Sequence, residues 1–209
     1  MTSNPAPARY DGDLRADLVR ASLDLIAADG PQDFSVAKVA KVLRVSSAAP
    51  YRHFGGRAEL LAAVAGEATT ALRAGITLAV AEESDPVEML VASTGAYTRF
   101  VIERRVDFHV IFSPELDVRE APALISQRRR LLTDSLARCR RVVPGKGPAR
   151  SLLEQLVAQA NGFASLFHGR LRLHPAGTAD DVVGRSTRTA RALIRSASGV
   201  KSPGCQEEP

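Results

Sequence analysis

The chain has 209 residues, 45% hydrophobic, 24% charged and 5% aromatic, enough apolar material for a folded core, so disorder is not the default. A net charge of +5 permits nucleic-acid binding without demonstrating it, and two cysteines, Cys139 and Cys205, supply neither a disulfide framework nor the paired spacing of a zinc site. The N-terminus lacks an apolar signal core and no stretch approaches the ~20 uncharged residues of a membrane span, so the expected location is the cytoplasm.

Residues 1–9 are rich in Pro, Ala and Asn and are expected to be a disordered arm, as residues 199–209 are expected to be a disordered tail. A first helix reads from Asp13 as N-cap to Asp29, with Leu14, Leu18, Ala21, Leu25 and Ala28 on one stripe, and Gly30-Pro31 stops it. Ser35 caps a short second helix that gathers Val36, Val39, Ala40 and Leu43 on one face and leaves Lys38 and Lys41 outward. Ser46 and Ser47 are read as caps of a third helix running to Phe54, with Pro50 near its first turn, where few backbone donors have helical partners. A long fourth helix begins near Arg57 and carries Leu60, Val64, Ala68 and Leu72 towards Ile76 and Val80. Asp85-Pro86-Val87-Glu88 reads as N-cap, first-turn Pro and capping-box Glu, opening a fifth. Phe108, Ile111 and Phe112 mark a short sixth before Pro114, and the seventh runs from Ala121 to Val143, ending at Pro144-Gly145. Two more carry Leu152, Leu156, Ala160, Phe163, Phe167 and Leu171, then Val183, Thr187, Ala190, Ile194 and Ala197. The expected fold is all-α with about nine helices: residues 10–57 form a three-helix domain and 58–198 a helical bundle.

Charge distribution says more than charge total. Between Asp33 and Glu59 the chain holds Lys38, Lys41, Arg44, Arg52 and Arg57 and no acid, which is either a solvated basic face or a surface for an anion. The lengths of Val36–Leu43, Arg44–Ser46 and Ser47–Phe54 suit a helix-turn-helix, whose second helix offers its first residues to base edges.

The stretch LVRASLDLIAADGPQDFSVAKVAKVLRVSSAAPYRHFGGRAELLAAV, Leu18 to Val64, resembles the DNA-binding domain of the TetR family. AYTRFVIERRVDFHVIFSPEL, Ala96 to Leu116, and FASLFHGRL, Phe163 to Leu171, are similar to the subgroup with a WHG-type C-terminal domain, although Ala164 stands where that subgroup has Trp. The resemblance implies that Ser47 and Ala48 sit at the base-facing tip, that Tyr51, His53 and Arg57 meet phosphates, and that Lys38 adds a phosphate contact; Ser46 and Arg52 belong to the same surface. Hydroxyls and cations suit phosphate oxygens, while Ser can bond several base edges and Ala offers only methyl contact. Two alternatives stay open for Tyr51: a phosphate contact, or helix packing with the hydroxyl in solvent. Phe54 reads as core. Arg44 occupies the turn position where the family has Gly, which requires an unusual backbone conformation or a shifted turn.

For the C-terminal domain the family implies dimerisation and capture of a small effector. The last two helices are the dimer candidates, since Gly162 and Gly169 lie seven residues apart on one face; packing within the chain is the competing use of these glycines. Tyr97, Phe100, Phe108, His109, Phe112, Phe163, Phe167 and His168 are the candidate lining of a mostly apolar pocket, each also a candidate for plain core. No nucleophile–base pair, phosphate loop or metal spacing is present, so neither an enzyme nor a cofactor is expected. The implied function is a repressor released from a palindromic operator by a small molecule, the alternatives being an activator or a helical sensor without DNA binding.

Overall fold

The computed structural model describes residues 13–106, 111–112, 122–169 and 177–199. Among them are seven α-helices and two 3-10 turns, and no strand. The helices are α1 (Leu14–Asp29), α2 (Val36–Val42), α3 (Arg57–Ala79), α4 (Pro86–Arg104), α5 (Pro122–Val142), α6 (Lys146–His168) and α7 (Ala179–Ala197). The all-α expectation therefore holds, and among the described residues the count of about nine becomes seven. Of the remaining two, one, the sixth, falls partly on residues outside those described. The other, expected from Ser47 to Phe54, is a turn followed by the 3-10 segment Pro50–Arg52. Its backbone bonds are tight: the Ala49 N–H donates to Ser46 O, Arg52 to Ala49 O, and His53 and Phe54 both to Pro50 O. Pro50 has no N–H to continue an α-helical ladder, and no side chain caps the segment, so Ser46 and Ser47 are not caps.

Local signals elsewhere act as read. Asp13 Oδ1 accepts from Arg15 N at 3.0 Å, Ser35 Oγ from Lys38 N at 3.2 Å, and Asp85 Oδ1 from Val87 N at 2.8 Å. Gly30 ends α1 with φ 87°. Glu88 departs from its expected capping-box role: both carboxylate oxygens take the Arg191 guanidinium, at 2.9 and 2.6 Å. A capping box does form at the start of α7, where Thr178 Oγ1 accepts from Asp181 N and Asp181 Oδ2 from Thr178 N.

The chain divides into two compact units, Met1–Ala68 with Arg104–Ser126, and Thr69–Glu103 with Gln127–Pro209. In the first unit α1 packs on α2, and the unit buries Leu18, Ile26, Phe34, Val36, Val39, Phe54, Leu60 and Val64. Each such side chain removed from water stabilises the unit by roughly 1.5–3 kcal/mol. Ala62, Ala65 and Leu124 form a further buried cluster there.

The second unit is built on α6 packed against α7, with Leu90 and Val91 of α4, Cys139 of α5, Leu152 and Leu156 of α6, and Ala190 and Ile194 of α7 in one core. Beside this core runs a polar seam. Thr98 Oγ1 donates to Thr94 O, so the Ser186 hydroxyl is the donor in its 2.7 Å bond to Thr98, and Gln159 Nε2 donates to Ser186 in turn. Satisfied in this way, the buried hydroxyls of Thr98 and Ser186 avoid the cost of desolvation without a partner. Gly95 lets α4 approach α7 closely: a Cβ there would lie 2.9 Å from Thr187 Cγ2.

Candidate nucleic-acid interface

The backbone between α2 and the 3-10 segment sets which side chains reach solvent. Leu43 closes α2, Arg44 follows with φ 55°, and Val45 N donates to Ala40 O while Arg44 N donates to Lys41 O. These two bonds define a Schellman motif, whose left-handed position usually carries glycine. Arginine there costs about 1–2 kcal/mol of backbone strain. The unusual conformation expected at Arg44 is thus present.

Past this corner, Ser46, Ser47, Ala48, Tyr51 and Arg52 are exposed and His53 is half-buried. Tyr51 leaves 58% of its surface open, whereas Phe54, three residues on, leaves 2% and lies in the core. Packing as the main use of the Tyr51 ring is inconsistent with that exposure. Lys38 and Arg57 are exposed on α2 and α3. Lys38 Nζ lies 3.8 Å from Asp29 Oδ2, a solvent-screened pair worth at most about 1 kcal/mol. The Arg57 guanidinium sits 5.8 Å above the Phe34 ring, and that of Arg15 4.8 Å above Phe54, so two cations close over buried aromatics. Glu59, the first acid after the basic stretch, is turned back on its own helix start, its Oε2 accepting from Gly55 N at 2.6 Å. The outward polar side chains from Phe34 to Ala58 are hydroxyls and cations, without an acid. Such a surface can hold phosphate oxygens.

Residues 18–64, which carry this arrangement apart from Arg15, match the family model described as bacterial regulatory proteins, tetR family. Over these residues the chain is similar to the tetR family of bacterial regulatory proteins. Its all-α fold is that of solved tetR-family regulatory proteins. The TetR-like fold extends over most of the chain. A protein of unknown function from Rhodococcus sp. RHA1 is 27% identical, with 88% of this chain and 97% of that one covered and a TM-score of 0.59. A tetR-family regulatory protein from Rhodococcus RHA1 matches over the same shares at 16% identity and a TM-score of 0.67. AibR, seen in complex with isovaleryl coenzyme A and operator DNA, matches over 85% of this chain and 97% of its own at 12% identity and a TM-score of 0.65. No curated protein matches significantly.

The candidate effector residues are distributed unevenly. Tyr97 is buried on α4 and its hydroxyl donates to Asn161 Oδ1 of α6 at 2.8 Å, tying the two helices together. Phe100 of α4 and Phe163 and Phe167 of α6 are half-buried in the same unit, and His168, exposed at the end of α6, meets Phe167 edge-on at 5.2 Å between ring centres. Phe112 is half-buried in the other unit. Phe108 and His109 lie outside the described residues. Ala164, at the position of the subgroup's Trp, is 1% exposed. On α6 the ideal Cβ of Gly162 meets nothing within 4 Å, so close packing within the chain does not explain that glycine. Among the described residues, no helix is long and apolar enough to cross a membrane.

Proposed function

We propose that this chain is a regulator of the TetR family, a cytoplasmic homodimeric repressor that binds a palindromic operator through residues 10–57 and is released by a mostly apolar small molecule held in residues 58–198. The observation that carries the reading is the 58% exposure of Tyr51 inside an acid-free basic surface that lies wholly within the family-matched segment. In this reading Lys38, Tyr51, Arg52, His53 and Arg57 hold the phosphate backbone, and Ser46, Ser47 and Ala48 face the bases. Twofold DNA calls for a twofold protein. The open face of α6 at Gly162, with Leu166 beside it at 43% exposure, supports assembly through α6 and α7. AibR, a protein of the same fold, binds isovaleryl coenzyme A and operator DNA together, which supports a ligand-controlled reader with Tyr97, Phe100, Phe108, His109, Phe112, Phe163, Phe167 and His168 as the region to search for the effector.

The test is selection of bound sequences from random DNA, followed by salt titration on the winner. A palindromic motif with a steep salt dependence is expected, and no enrichment would overturn the reading. Tyr51→Phe and Arg57→Ala should weaken binding equally across sequences and flatten the salt dependence, because phosphate contacts carry no base code. Ser47→Ala should alter preference at one base pair in each half-site; an unaltered selected motif would remove Ser47 from base reading.

A further inference from the structure

Two non-glycine residues among those described have positive φ, and both are arginines: Arg44 at 55° and Arg105 at 51°. Arg105, half-buried just past α4, has an evident compensation. Its Nη1 donates to Ala28 O at 2.9 Å, at the carbonyl end of α1. Arg44 has none: it is exposed, and among the described residues its guanidinium has neither an ion pair nor a hydrogen bond. Its backbone alone works, through the two bonds that close α2, and glycine would make both without the strain. A strained side chain with no return inside its own chain points to a return outside it.

The charge around it indicates the partner. Arg44 stands two residues before Ser46 in the stretch that has no acid from Phe34 to Ala58, and exposed Lys41 precedes it by three. We infer that Arg44 is a further DNA-binding residue, whose guanidinium engages a phosphate of the operator backbone, and that arginine is kept at this glycine-favouring corner for that contact. The inference rests on the operator-binding reading above. It also differs from the modest alternative that Arg44 only offsets the dipole at the carbonyl end of α2, since that role would stabilise the free protein.

The experiment compares Arg44→Gly and Arg44→Lys with the parent in thermal unfolding and in salt-titrated binding to the selected operator. Arg44→Gly should unfold at the same temperature or a few degrees higher. It should bind roughly tenfold more weakly per protomer near 0.1 M salt, and reduce the slope of log affinity on log salt by about 0.9 per protomer. Arg44→Lys keeps the charge and should retain most of the affinity and the slope. Unchanged binding by Arg44→Gly, while Tyr51→Phe and Arg57→Ala still weaken it, would overturn this inference and leave the operator reading intact. A lower unfolding temperature for Arg44→Gly would likewise overturn it, by showing that the side chain stabilises its own domain. A parent protein that enriches no DNA would overturn both.

Discussion

Tyr51 and Phe54, three residues apart, separate the two kinds of work done in the segment proposed to face DNA. Phe54 is 2% exposed beneath the Arg15 guanidinium, so Phe54→Ala should cost about 3–5 kcal/mol in chemical denaturation. Tyr51→Phe removes only an exposed hydroxyl and should change stability by less than about 0.5 kcal/mol while weakening DNA binding. The Glu88–Arg191 pair adds a pH dependence. Hydrogen bonding from Arg191 holds the Glu88 carboxyl below the usual carboxylate range. A carboxyl depressed in the folded state contributes fully above its unfolded pKa, and that contribution fades as pH falls through the lower folded value. Glu88→Gln should therefore lower the unfolding temperature at pH 7, and the difference from the parent should close as pH drops below about 4. With both side chains about one-third exposed, the loss at pH 7 should stay within about 1 kcal/mol.

At the level of helices, what sequence disclosed was what the chain decides within a turn. The caps at Asp13, Ser35 and Asp85 and the stop at Gly30 each need only a side chain and a backbone group a few positions away. Ser35→Ala should accordingly cost about 1 kcal/mol, measured by denaturation, and loosen the helix that precedes the Arg44 turn. Arg44 was legible for the same reason, because only one backbone conformation closes α2 there. The failures are of two kinds. Glu88 sits at a capping-box position, yet its partner is Arg191 on α7, 103 positions away, and no local spacing could reveal that. Pro50 lies near the first turn of the expected third helix; its missing N–H leaves i→i+3 bonds with a single i→i+4 bond from Phe54 N to Pro50 O, and the segment stays a 3-10 turn. The capping box of Thr178 and Asp181 had a sequence signal that the hydrophobic pattern of α7, beginning at Val183, overshadowed. On the interface itself, sequence placed Tyr51 and the cations in one stretch, but only the fold separates Tyr51, open to solvent, from Phe54, closed to it.

Across the whole molecule, the second unit draws its core from four helices, α4, α5, α6 and α7, and Cys139 stands in that core with none of its surface exposed. Burial pushes its thiol up to about 11, well away from the pH at which thiols react readily. A thiol reagent can attack Cys139 only while the four helices part, so in a Cys205→Ser background the labelling rate is a clock for that event. The expected record is slow labelling at pH 8 that quickens steeply with denaturant; labelling as fast as that of a small free thiol would contradict the burial. Run with and without candidate small molecules, the same clock reports any compound that grips this unit by how far it slows the opening, before the compound's site or its effect on DNA is known.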